Sequence, residues 1–125
     1  MTRTATAPGC FLHSAMTSPT AGSAGLTGLM IAKRPNALIK VSGACTLSRE
    51  PYPFPDIWGP LERLFDAWGF ERCLWGTDWT RAFAVVNYEQ AVEPFLKTDR
   101  LSESERAMLM GGACAKAYRW SPKKG

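Results

Sequence analysis

The sequence holds a single histidine, at position 13, and no acidic residue before Glu50. A zinc centre needs three or four ligands, so one histidine excludes a metal site built on histidines within this chain. The four cysteines, at 10, 45, 73 and 114, include no pair spaced as CxxC, which excludes the compact redox or zinc motif of that spacing. Cys73 lies in an apolar run and reads as a buried thiol, consistent with a reducing, cytoplasmic setting. No apolar stretch reaches the ~20 residues a membrane span requires. The missing acids also skew the charge. Residues 1–49 carry five basic groups and no acid, whereas residues 50–125 carry ten basic and eleven acidic groups. The formal charge of +4 therefore resides in the N-terminal segment. The nearly neutral remainder lacks the basic face expected of a nucleic-acid-binding module.

What is present divides into three stretches. Twenty of the first 30 residues are Ala, Thr, Ser, Gly or Pro, so residues 1–31 read as a low-complexity, disordered lead. Arg3, the many hydroxyl residues and the absence of acids loosely fit a transit peptide, but there is no amphipathic Arg-rich helix. A flexible tail, or sequence from a wrong start or shifted reading frame, is the simpler account. Residues 32–121 have the patterning of packed protein, and residues 122–125 form a short basic tail.

Within 32–121 the order of elements is β-α-β-α-α. Pro35-Asn36 is a turn signal ahead of a strand over Ala37–Gly43, whose alternation puts Leu38, Lys40 and Ser42 on one face and Ile39 and Val41 on the other. After the loop Pro51-Tyr52-Pro53-Phe54-Pro55, Asp56 is a candidate N-cap. The helix it would open buries Ile57, Leu61, Leu64, Phe65 and Trp68, one helical stripe, and Gly69 stops it. A second strand runs over Cys73–Trp79. The helix-containing connection suits a parallel crossover, which makes an α/β fold. Tyr88, Ala91, Val92, Phe95 and Leu96 form another stripe with Asn87 as cap, and Pro94 is expected to kink or shorten that helix. Ser102 and Glu105 form a capping box for a last helix to about Met110. Gly111-Gly112 should interrupt it, with a further turn around Ala115–Tyr118. Two strands leave sheet edges open, which would favour self-association.

The chemistry concentrates at Leu74-Trp75-Gly76-Thr77-Asp78-Trp79. A carboxylate at the end of an apolar strand is costly to bury without partners, and α/β folds collect ligands at the carboxyl ends of their strands. The alternative is that Asp78 caps the next helix or pairs with Arg81. Lys40 and Ser42 share a face that could line a cavity, although a lysine there can equally snorkel to water. Arg81 either meets an anionic substrate or pairs with an acid, and Trp79 is a candidate pocket wall.

The ordered series Pro35-Asn36, Lys40-Val41-Ser42-Gly43, Pro51-Tyr52-Pro53-Phe54, Trp75-Gly76-Thr77-Asp78-Trp79 and Leu101-Ser102 through Leu109-Met110-Gly111-Gly112 resembles the end of the amidohydrolase-related family, which includes sugar-lactone and 2-pyrone-4,6-dicarboxylate lactonases. That resemblance implies a (β/α)8 barrel, of which this chain would be the C-terminal part, with a small-molecule substrate. It implies Asp78 as the last-strand acid, a metal ligand or the general base on the attacking water. It also implies a divalent metal, zinc or similar, in the complete family site. A decarboxylase branch of the same superfamily shares this acid, and a non-catalytic, partner-binding remnant is a further reading. The sequence departs from the family pattern in lacking the His-x-His pair of the first strand and an acid-histidine strand before Pro35. Ala113 stands where an Asn often follows the Gly-Gly. A chain so equipped is expected to bind no metal and to be inactive alone.

Overall fold

A computed structural model describes the backbone of residues 11–13 and all of residues 30–123. Three parallel strands form its sheet, in the order β1 (Phe11–His13), β2 (Leu38–Ser42) and β3 (Cys73–Gly76). Ile39 pairs with Cys73 and Ser42 with Gly76, while His13 pairs with Lys40. The first strand corrects one expectation, since residues 1–31 are not structureless throughout. It ends in a histidine but carries no acid, so the acid-histidine pattern before Pro35 is still missing. Three residues carry no readable periodicity, so only the neighbouring strand's unpaired backbone groups reveal the pairing.

Alternation on β2 and β3 sorts the faces as expected. Ile39, Val41 and Cys73 are buried in one apolar cluster with Leu61, Phe65 and Phe95. The helix α1 (Trp58–Trp68) contributes Trp58, Leu61, Leu64, Phe65 and Trp68 to this cluster, the stripe its spacing dictates. Gly69 ends α1 at φ 75°, a conformation open to a residue without Cβ. Asp56, however, is not the N-cap. Pro55–Ile57 forms a 3-10 turn before α1, and the Asp56 carboxylate reaches back to the Ser48 hydroxyl and the Arg49 N–H, the latter at 2.7 Å. It anchors the preceding loop, and these donors hold its carboxyl below the usual range.

A short helix α2 (Trp79–Ala82) comes after β3, and α3 (Tyr88–Lys97) opens on a capping box between Asn87 and Gln90. Pro94 does not cut α3 short, since the helix continues three residues beyond it. Buried Phe95 packs against Trp58 and Trp75 at 5.5 and 5.7 Å between ring centroids. Ser102 and Glu105 make the expected capping box for α4 (Glu103–Ala107). Gly111-Gly112 does not interrupt the C-terminal helical run. Met108–Gly112 winds as a π-helical turn into α5 (Ala113–Tyr118), and a Cβ on Gly112 would lie 3.1 Å from Met108 Sδ and 3.3 Å from the Ala107 carbonyl oxygen. The absent side chain admits the wider turn instead of ending the helix.

Two arginines tie this frame together. Arg72 donates to the carbonyls of Ala32 and Arg34, both at 2.7 Å, and of Trp68 at 3.0 Å, with its guanidinium 5.0 Å from the Trp68 ring centroid. It joins the segment entering β2 to the turn entering β3. Arg106 does the same for the end of α3, donating to Phe95 O at 3.0 Å, to Leu101 O at 3.2 Å and to Thr98 O. Among the described residues, no helix is long and apolar enough to cross a membrane.

Candidate active site

The parallel register brings the ends of β2 and β3 level, with Ser42 opposite Gly76. Beyond them both chains turn sharply. Gly43 adopts φ 67° and continues the ladder by donating to the Gly76 carbonyl at 3.1 Å. Its own carbonyl accepts from the Thr46 hydroxyl at 2.7 Å and from the Thr46 N–H at 3.0 Å. On the neighbouring strand, Asp78 adopts φ 51°, ψ 53°, a left-handed conformation that Asp tolerates better than most residues. Its carbonyl accepts the Arg81 and Ala82 N–H groups that start α2.

Strand alternation therefore does not aim Asp78, because β3 has already ended at Gly76. The left-handed turn aims it. The carboxylate lies over the end of β2, where a Cβ built on Gly43 would sit 3.0 Å from Asp78 Cβ and 3.4 Å from Oδ2. Asp78 Oδ2 is buried and accepts no hydrogen bond. The capping alternative fails in its chemistry: Asp78 occupies the N-cap position of α2, but its side chain makes no capping bond. The pairing alternative holds loosely. Arg81 Nη1 stands 3.7 Å from Oδ2 on a side chain 59% exposed, against 13% for Asp78. That distance exceeds a charge-assisted hydrogen bond, and an exposed partner of this kind contributes little.

The remaining candidates divide in the same way. Ser42 is buried at 9% exposure and its hydroxyl also has no partner, so two unsatisfied oxygens lie at the ends of adjacent strands. Lys40 is half-buried one pleat earlier on β2, level with His13 and Leu74. Trp79 is 41% exposed, in edge-on contact with Tyr88 at 5.7 Å and tilted against Phe83 at 6.3 Å. Phe83, Tyr88 and Val85 are themselves exposed, so these aromatic rings form a solvent-facing cluster between α2 and the start of α3.

Two features escaped sequence reasoning. His13 stands at the carboxyl end of β1, in register with Lys40, and a histidine closing a short apolar triplet was its one signal. Gly43 was visible as a strand-ending glycine, but its contact with Asp78 depends on the crossover register. Among the described residues no group of three or more His, Cys, Asp or Glu could hold a metal ion. Asp78 supplies one carboxylate at the strand ends, and the donor set among the described residues does not fit a resident metal. Two clefts of about 400 and 260 Å³ open on either side of Trp58, on the helical side, and neither is lined by Asp78.

Known proteins resemble this chain in sequence and fold. The profile of the amidohydrolase family matches residues 20–120. An L-fucono-1,5-lactonase of Burkholderia multivorans is 34% identical over 61 residues, covering 46% of this chain and 20% of that protein. The structure of a Burkholderia multivorans amidohydrolase with bound zinc aligns at TM-score 0.65 and 26% identity, over 74% of this chain and 35% of that one. A putative 2-pyrone-4,6-dicarboxylic acid hydrolase of Pseudomonas putida aligns at TM-score 0.65 and 25% identity, over 82% of this chain and 38% of that one. The chain thus spans a fifth to two-fifths of the length of these relatives.

Proposed function

The chain belongs to the amidohydrolase family, and from that premise we propose that it forms the C-terminal wall of a (β/α)8 hydrolase site for lactone-type substrates, with Asp78 as its reactive carboxylate. The observation that carries this reading is the buried Oδ2 of Asp78, held at the strand ends without a hydrogen bond. A fold does not retain an unsatisfied buried carboxylate oxygen for stability, since such a group costs about 1–3 kcal/mol. An unpaired acceptor aimed into a strand-end rim is placed to take a proton from a water molecule as that water attacks a carbonyl carbon. The Ser42 hydroxyl would bind substrate or that water. Lys40 and Arg81 would hold substrate anionic groups, and Trp79 would wall the mouth. His13 joins the same rim on its register position. The resemblance to lactonases supports substrates whose ring ester is opened by water.

The three strands among the described residues do not close a barrel, and the matched share is 20–38% of each relative. The proposal therefore includes that this chain needs further polypeptide for turnover, whether from a longer product or from another chain. The test assays the purified 125-residue protein against sugar lactones and 2-pyrone-4,6-dicarboxylate, alone and mixed with the N-terminal part of a barrel relative. No turnover alone, and turnover on mixing that Asp78→Asn abolishes, is the expected result. Turnover by the chain alone would overturn the need for further walls. Unchanged complemented activity in Asp78→Asn would overturn the assignment of the carboxylate.

A further inference from the structure

We infer that Gly43 is a positioning residue for Asp78, an inference that rests on reading Asp78 as the reactive carboxylate. Gly43 does two things at once. Its positive φ turns the chain at the end of β2, and its bare Cα forms the surface on which the Asp78 side chain lies. Any Cβ there would approach Asp78 Cβ to 3.0 Å and Oδ2 to 3.4 Å. Neither partner can yield easily. Gly43 is held on both sides, by its N–H on the Gly76 carbonyl and by its carbonyl on the Thr46 hydroxyl and N–H. Asp78 is held by its own carbonyl, which starts α2. An added methyl would therefore rotate the carboxylate out of its seat and expose Oδ2, or part the ends of β2 and β3.

Gly69 supplies an internal control. It too has a positive φ, of 75°, but nothing lies within 4 Å of its would-be Cβ. Alanine at Gly69 thus imposes backbone strain without touching Asp78, whereas alanine at Gly43 imposes strain and the collision together.

The test uses the isotope-labelled 125-residue protein and reads Asp78 by NMR, without any need for turnover. Wild-type protein should show cross-peaks between the Gly43 α protons and the Asp78 β protons. Gly43→Ala should move the Asp78 carboxyl carbon resonance by well more than its linewidth, while Gly69→Ala leaves it in place. Absence of the wild-type cross-peaks overturns the inference, even if Gly43→Ala fails to fold. So does an unmoved Asp78 carboxyl resonance in folded Gly43→Ala, or an equal shift in Gly69→Ala. Should Asp78 have no catalytic role, Asp78→Asn keeps its complemented activity while these spectra stay as expected, so the two readings fail separately.

Discussion

Replacing Asp78 by Asn should make the protein more stable, not less. The carboxylate has Oδ2 buried with no hydrogen bond, and leaving such a charged acceptor unsatisfied costs about 1–3 kcal/mol. Against this stands its attraction to Arg81, 3.7 Å away on a largely exposed side chain. Solvent screens that pair to about 0–1 kcal/mol. Asparagine keeps the shape and accepts the left-handed backbone while removing the charge, although its neutral amide keeps part of the desolvation cost. The balance is a gain of roughly 1 kcal/mol, equivalent to about 4–8 °C in Tm for a domain of this size. Urea and thermal unfolding of wild-type, Asp78→Asn, Arg81→Ala and the double variant would measure it. Arg81→Ala should weaken the wild type slightly and leave the Asp78→Asn background unchanged, since its partner is already neutral. A contrasting carboxylate is Glu62, paired with Arg100 at 2.9 Å with both side chains about half exposed. Neutralising Glu62 should move stability by less than about 1 kcal/mol, and downward. If Asp78→Asn destabilises the fold, the carboxylate is structural and the reasoning from its unsatisfied oxygen is wrong.

Three further outcomes are expected. Arg72→Ala should destabilise by about 3 kcal/mol and Arg72→Lys by less, because a guanidinium bridging several carbonyls over a tryptophan ring exceeds what one ammonium can replace. Hydrogen exchange should then speed up first in residues 30–37, and a loss below about 1 kcal/mol in urea unfolding would refute the staple. Burial pushes the Cys73 thiol up to about 12, with Arg72 opposing weakly, and also raises Cys45. Mass spectrometry after alkylation near pH 8 should find exposed Cys114 modified well before either, as thiolate fraction and access dictate. Finally, the Ser48 hydroxyl and Arg49 N–H lower the Asp56 carboxyl pKa. The stability it contributes is present above its unfolded value and is lost as pH falls below about 4. Wild type and Asp56→Asn should differ in urea midpoint near neutrality and converge in acid, and a constant gap would refute this assignment.

Much of the framework was legible from local physics. The stripe Leu61, Leu64, Phe65, Trp68 repeats at the period of a helix. The capping residues at Asn87 and Ser102 sit three positions before side chains that reciprocate, and Gly69 ends its helix where backbone freedom is needed. Each of these depends on neighbours within one or two turns. The alternation Leu38 to Val41 likewise sorted buried from half-buried positions without reference to the partner strand, and only Ser42 departs from it by being buried. Asp78 stands out by its type and by its place just after an apolar strand, although strand alternation does not account for its aim.

The sequence by itself determined α1, α3 and the start of α4, the cores of the two longer strands, the family pattern and which carboxylate to propose as reactive. Tertiary structure alone decided that Phe11–His13 pairs beside β2, that Asp56 anchors a loop instead of capping a helix, and that Asp78 lies on Gly43. These depend on groups brought together across the sheet or between loops. A hydrogen bond or a contact between residues tens of positions apart leaves no period in the chain, because register and crossover, not spacing, set the distance between the partners.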